Sequence, residues 1–172
     1  MASAAVFASW PAIAKQSVVT RGFTLIEMII TVVILGILAT AAFPVAKLAV
    51  QRGKEQELRT GLRQIREAID TYKQAFDEGH IARQADSSGY PPSLQALVAG
   101  VEDVKNPLKK PIFFLRRLPR DPFAPTDLSA ESTWGKRSYE STYDSPQEGK
   151  DVFDVFPQSE GKGLNGLAYR DW

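Results

Sequence analysis

One carboxylate set just inside an otherwise uncharged apolar run constrains this chain more than anything else in it. The run opens as Arg21-Gly22-Phe23-Thr24-Leu25-Ile26-Glu27, continues from Met28 through Leu38, Phe43 and Pro44 to Ala46, and stops at Lys47. From Phe23 it gives about 36 Å of helix at roughly 1.5 Å per residue, enough to cross a bilayer. A plain membrane anchor leaves Glu27 unexplained, because an acidic group in hydrocarbon costs a few kcal/mol or more and persists only with a partner. An ordinary secretory signal competes for the same segment, with Ala39-Thr40-Ala41 as its small-residue cleavage site. Glu27 argues against that reading too. Lys15 and Arg21 precede the run and no acid does, which favours a cytoplasmic N-terminus with the rest of the chain across the membrane.

At Gly22 through Glu27 the sequence resembles the type IV pilin superfamily, whose precursors carry a basic leader ending in Gly, then Phe-Thr-Leu-Ile-Glu and an apolar helix. The resemblance implies cleavage by a prepilin peptidase between Gly22 and Phe23 and N-methylation of Phe23. It also implies that Glu27 pairs with the N-terminal amine of a neighbouring subunit during filament assembly. A cation and a carboxylate together in low dielectric offset part of each other's desolvation cost, and the pair would fix the stagger between subunits. Pro44 removes a helical donor and crowds the Thr40 carbonyl, which predicts a kink or opened turn. In the superfamily a Pro near here marks where the helix loosens as subunits pack.

Of the 172 residues, 1–22 read as a leader, 23–46 as a transmembrane and filament-core helix, and 47–172 as one globular domain. Lys15 and Arg21 are two of the 21 basic side chains; the others nearly balance the 20 acidic ones, so no basic footprint for nucleic acid remains. Cysteine is absent, which a periplasm-like compartment permits. Leu58, Leu62, Ile65, Ile69, Tyr72 and Phe76 form a single helical stripe, with Arg59, Arg63, Arg66, Glu67, Asp70, Lys73 and Asp77 between them read as a solvated face. Gly79 reads as the helix stop, and Ser93 as the cap of a short helix over Leu94–Val98. Ile112-Phe113-Phe114-Leu115, flanked by Lys109-Lys110 and Arg116-Arg117, reads as a turn or short helix packing its aromatics inward, with a peripheral membrane patch as the alternative. Ser138–Tyr143 and Asp151–Phe156 alternate like strands, giving an α+β fold in which a long N-terminal helix packs on a small antiparallel sheet.

Tyr90-Pro91 before Leu94–Val98, Leu118-Pro119-Arg120-Asp121-Pro122-Phe123, Trp134–Tyr139, Asp154-Val155-Phe156 and the final Asp171-Trp172 are similar to landmarks of the major pseudopilins of type II secretion systems. That resemblance implies a calcium ion in the loop after the last strand, with Asp154, Ser159, Glu160 and Asn165 as oxygen donors of the kind calcium prefers. The loop departs from the family pattern, carrying Lys162 at its middle and Asn165 where a carboxylate would bind better. A tight loop held by its own hydrogen bonds and by Trp172 is the alternative.

Catalysis has no visible apparatus: the lone His80 follows the long helix, and no zinc spacing, phosphate loop or nucleophile elbow occurs. The expectation is a non-enzymatic pseudopilin, cut by a prepilin peptidase and held in membrane lipid. An inner-membrane assembly platform would then polymerise it with identical and related subunits into a periplasmic pseudopilus that drives protein export. A surface pilin or minor pilin is the nearest alternative, although the disulfide loop common there cannot form without cysteine. A binding module tethered by an uncleaved helix is the second.

Overall fold

The computed structural model describes residues 22–84 and 86–172, with the side chains of 41–43 excepted. The leader before Gly22 lies outside the described residues. The chain divides into two compact units, Met1–Pro44 and Val45–Trp172. Helix α1, Leu25–Asp77, contributes to both.

In the first unit α1 starts on a capping sequence. Thr24 Oγ1 accepts from the backbone N–H of Glu27 at 3.3 Å, and the Thr24 carbonyl accepts from Met28 at 3.1 Å. Thr24 is therefore the N-cap of α1, with Glu27 as an acid in the first turn where the helix dipole favours it. The hydroxyls of Thr31 and Thr40 donate to the carbonyls of Met28 and Ile37 at 2.9 and 2.7 Å, so neither needs a partner outside the helix. Ile29, Val33, Leu35, Ile37 and Leu38 all stand exposed. Among the described residues α1 is the one helix long and apolar enough to cross a membrane, with a window of mean hydropathy 2.5.

The second unit is built on the rest of α1. Leu58, Leu62, Ile65, Ile69, Tyr72 and Phe76 are all buried, as their spacing predicts. The helix ends in a Schellman motif: Gly79 at φ +80° donates to the Phe76 carbonyl, and His80 donates to the Ala75 carbonyl, both at 2.9 Å. Helix α2, Leu94–Ala99, is capped by Ser93, whose hydroxyl accepts from Ala96 N–H at 3.3 Å. Its Leu94 and Leu97 complete the core with Trp134, Val152, Val155 and Tyr169.

Two separate antiparallel pairs take the place of one sheet. Strand β1, Val101–Glu102, pairs with β2, Pro111–Ile112; β3, Trp134–Arg137, pairs with β4, Asp154–Pro157, in the register Trp134 to Pro157. The expected strand at Ser138–Tyr143 is therefore displaced to Trp134–Arg137. The reason is local: Ser138 N–H donates to Gln147 O and Tyr139 N–H to Asp151 Oδ1, both at 2.9 Å, so loop groups take the donors a ladder would need. The second strand begins at Asp154: Val152 N–H donates away from it to Pro91 O, and Phe153 N–H makes the first bond to β3 at Arg137 O, both at 2.8 Å. Around Ile112 the aromatics divide: Phe114 packs on the core, held with Leu115 by N–H bonds to Leu97 O, while Phe113 is 61% exposed.

Candidate functional site

Gly22 and Phe23 precede the helix outside any regular element, and both are exposed, Phe23 at 76%. The peptide bond between them is thus open to an external enzyme. Glu27 follows within the first helical turn and is exposed, and among the described residues no basic side chain pairs with it. Pro44 lies inside α1, where it cannot donate to Thr40 O, and the division between the two compact units falls just after it.

The other candidate is the C-terminal loop. Asp154 Oδ1 accepts from Arg66 Nε at 2.8 Å and from Val155 N–H at 2.8 Å, while Oδ2 accepts from Arg137 Nη2 at 3.3 Å. Asn165 Oδ1 accepts from Leu167 N–H at 3.1 Å, and Ser159 Oγ from Gly161 N–H at 3.5 Å. Glu160 is exposed. The four expected oxygen donors are thus each placed, three of them with protein partners. Among the described residues no group of three or more His, Cys, Asp or Glu is placed to hold a metal ion.

What reaches this loop from outside is α1. Buried Glu55 accepts through Oε1 from Leu164 N–H at 2.9 Å, Gln51 Nε2 at 3.1 Å and the Tyr169 hydroxyl at 3.2 Å. Burial holds the Tyr169 phenol above its ordinary range. Arg66 Nη2 donates to the carbonyls of Val155 and Trp172 at 3.1 and 3.0 Å, and the Arg59 guanidinium lies 4.2 Å from the centre of the Trp172 ring. Arg59 and Arg66 are therefore not simply solvated face, as the sequence suggested. Their separation of two turns, each next to a stripe residue, Leu58 and Ile65, is the one sequence signal that could have marked them.

The Prokaryotic N-terminal methylation motif matches residues 19–43, the segment containing Gly22, Phe23 and Glu27. The chain is 33% identical over 105 residues to type II secretion system core protein G of Vibrio cholerae, covering 59% of this chain and 64% of that protein. It is 33% identical over 107 residues to the Klebsiella pneumoniae protein of the same name, covering 60% and 69% of the two chains. The corresponding Pseudomonas aeruginosa protein is 34% identical over 119 residues, covering 66% of this chain and 76% of that one. No solved structure matches. A methylation motif on the capped, acid-bearing start of α1, joined to a small α+β unit, agrees with these relatives, and the chain belongs to the type II secretion system core protein G family of pilin-like pseudopilins.

Proposed function

We propose that the chain is the precursor of a filament subunit of a type II secretion system. A prepilin peptidase cuts it after Gly22 and methylates Phe23, and the product polymerises from the inner membrane into a periplasmic pseudopilus whose growth drives export. The observation that carries this reading is Glu27, a lone carboxylate in the first turn of an exposed apolar helix, four residues after the one whose amine a cut would create. In lipid the mature subunit holds two opposite charges at one end of a hydrocarbon-length helix. Packed beside a neighbour, each charge meets its opposite; at 4 Å such a pair is worth about 4 kcal/mol at an effective dielectric of 20. Moving the apolar face from lipid into a protein core changes burial little, so packing and this pairing must supply the driving force. Loosening at Pro44 would let the helix itself adjust as subunits stack.

Prepilin peptidase, related pseudopilins and an inner-membrane platform are the partners this reading requires, with the energy supplied from outside the chain. In this reading the role of the unit Val45–Trp172 is mechanical. Co-expression with a prepilin peptidase, followed by N-terminal sequencing and intact mass of the membrane-bound product, tests it. The expected product begins at Phe23 and is about 14 Da heavier from one methyl group. A product that keeps its leader, or one beginning near Ala42, overturns it. Glu27→Leu should leave cleavage intact and abolish filaments.

A further inference from the structure

We infer that the C-terminal loop, residues 158–168, is held to α1 by Glu55 within it and by Arg66 at its two flanks, in the place where a divalent cation would otherwise gather it, and that it takes no calcium.

A calcium ion organises a loop by collecting six to eight oxygens from carboxylates and backbone carbonyls. Here Asp154, Ser159, Asn165 and three loop carbonyls already have protein donors, which leaves Glu160 as the one exposed carboxylate of the expected set. Asp154 faces two guanidinium groups, Arg66 at 2.8 Å and Arg137 at 3.3 Å, so a cation could reach it only by displacing two others. The backbone carbonyls of Gly161, Gly163 and Leu167 accept from Tyr169, Gly166 and Gly163 at 3.0, 2.9 and 2.8 Å. The oxygens of Ser159 and Asn165 accept from Gly161 and Leu167. The room inside the loop is filled as well: a Cβ on Gly163 would come within 2.4 Å of the Trp172 indole.

Arg66 does the gathering instead. Its planar fork reaches Asp154 Oδ1, Val155 O and Trp172 O, joining β4 and the last residue to the helix with one fixed charge. Glu55 holds the opposite side of the loop at Leu164 N–H and the Tyr169 hydroxyl. Between them they supply a cation for the strand carboxylate and an anion for the loop's donors.

The test uses endoproteinase Lys-C on the full chain in detergent micelles, reading cleavage after exposed Lys162. Equal rates in millimolar calcium and in EGTA are expected. Arg66→Met and Glu55→Leu should each speed cleavage about tenfold, the population change that loss of one charge-assisted hydrogen bond produces. Glu55→Gln, which keeps an acceptor oxygen, should stay near the wild-type rate. Slowing of wild-type cleavage by calcium of about threefold or more would mean that the metal binds the folded loop, and would overturn the inference. So would unchanged cleavage in both substituted chains. The wild-type comparison stands even if a variant fails to fold.

Discussion

Replacing Gly61 by Ala sets helix propensity against packing, and the structure decides the sign. Gly61 is buried in the interior of α1, where a glycine costs about 0.8–1.0 kcal/mol relative to Ala. A Cβ built there would lie 3.4 Å from Pro119 Cβ and 3.5 Å from Trp134 Cζ2, ordinary van der Waals contact that neither neighbour must move to admit. Burying that methyl between two apolar groups contributes up to about 0.8 kcal/mol more, less the small cost of a contact at the short end of the range. Gly61→Ala should therefore stabilise the soluble unit by about 1 kcal/mol and raise its melting temperature by roughly 3 °C. Gly53→Ala is the control, since its Cβ meets nothing within 4 Å and reports propensity alone. Both would be melted as full chains in detergent, following tryptophan fluorescence. A fall in melting temperature for Gly61→Ala while Gly53→Ala rises would refute the placement of Pro119 and Trp134 against α1.

Gly135→Ala should go the other way, because its Cβ would sit 2.3 Å from the Phe156 ring across the β3–β4 ladder. Overpacking of that kind costs about 1–3 kcal/mol, readable as a lower urea midpoint. Leu58→Ala, at a fully buried position of the stripe, should cost about 3 kcal/mol, whereas Arg63→Ala on the same helix should lie within about 0.5 kcal/mol of wild type. Asp121 is fully buried, with Oδ1 accepting from Phe123 N–H and Oδ2 without a partner, and burial raises its pKa above 3.8. Its ionisation therefore favours the unfolded chain: the protonated form's contribution is full below pH 3.8 and is lost as pH rises through the folded value. Asp121→Asn, which keeps the Oδ1 acceptor, should gain stability relative to wild type as pH rises from the acid side, measured by urea unfolding at a series of pH values.

The parts of this fold governed by short-range patterns were legible from the residues. The stripe from Leu58 to Phe76, the Gly79 stop and the Ser93 cap each depend on neighbours within about one turn, and each lies where its spacing puts it. The strand at Ser138–Tyr143 was misread because polar-aromatic alternation there is matched by loop hydrogen bonds to Gln147 and Asp151, which no local pattern announces. Gly135, in the true strand, looks like a turn residue until Phe156 is seen lying over it. At the candidate sites the same division holds. The start of α1 carries its chemistry in six consecutive residues, whereas Glu55 and Arg66 meet Leu164 and Trp172 across more than a hundred positions of chain. A charge on an amphipathic helix has no sequence mark for a partner that far away.

The Thr24 cap has a consequence for processing. Every group that starts α1, Thr24 Oγ1, Thr24 O and the Glu27 N–H, lies on the C-terminal side of the Gly22–Phe23 bond. A cut there leaves the first turn hydrogen-bonded as before, so the helix need not be rebuilt afterwards. What the cut changes there is the source of positive charge: Arg21 leaves with the leader, and an uncharged amide nitrogen at Phe23 becomes a free amine, one residue ahead of the cap and four residues before Glu27. Removal of the leader would then act as an irreversible electrical switch on a fixed mount, replacing a charge on the Arg21 side chain by one on the backbone itself, at the first residue of the subunit.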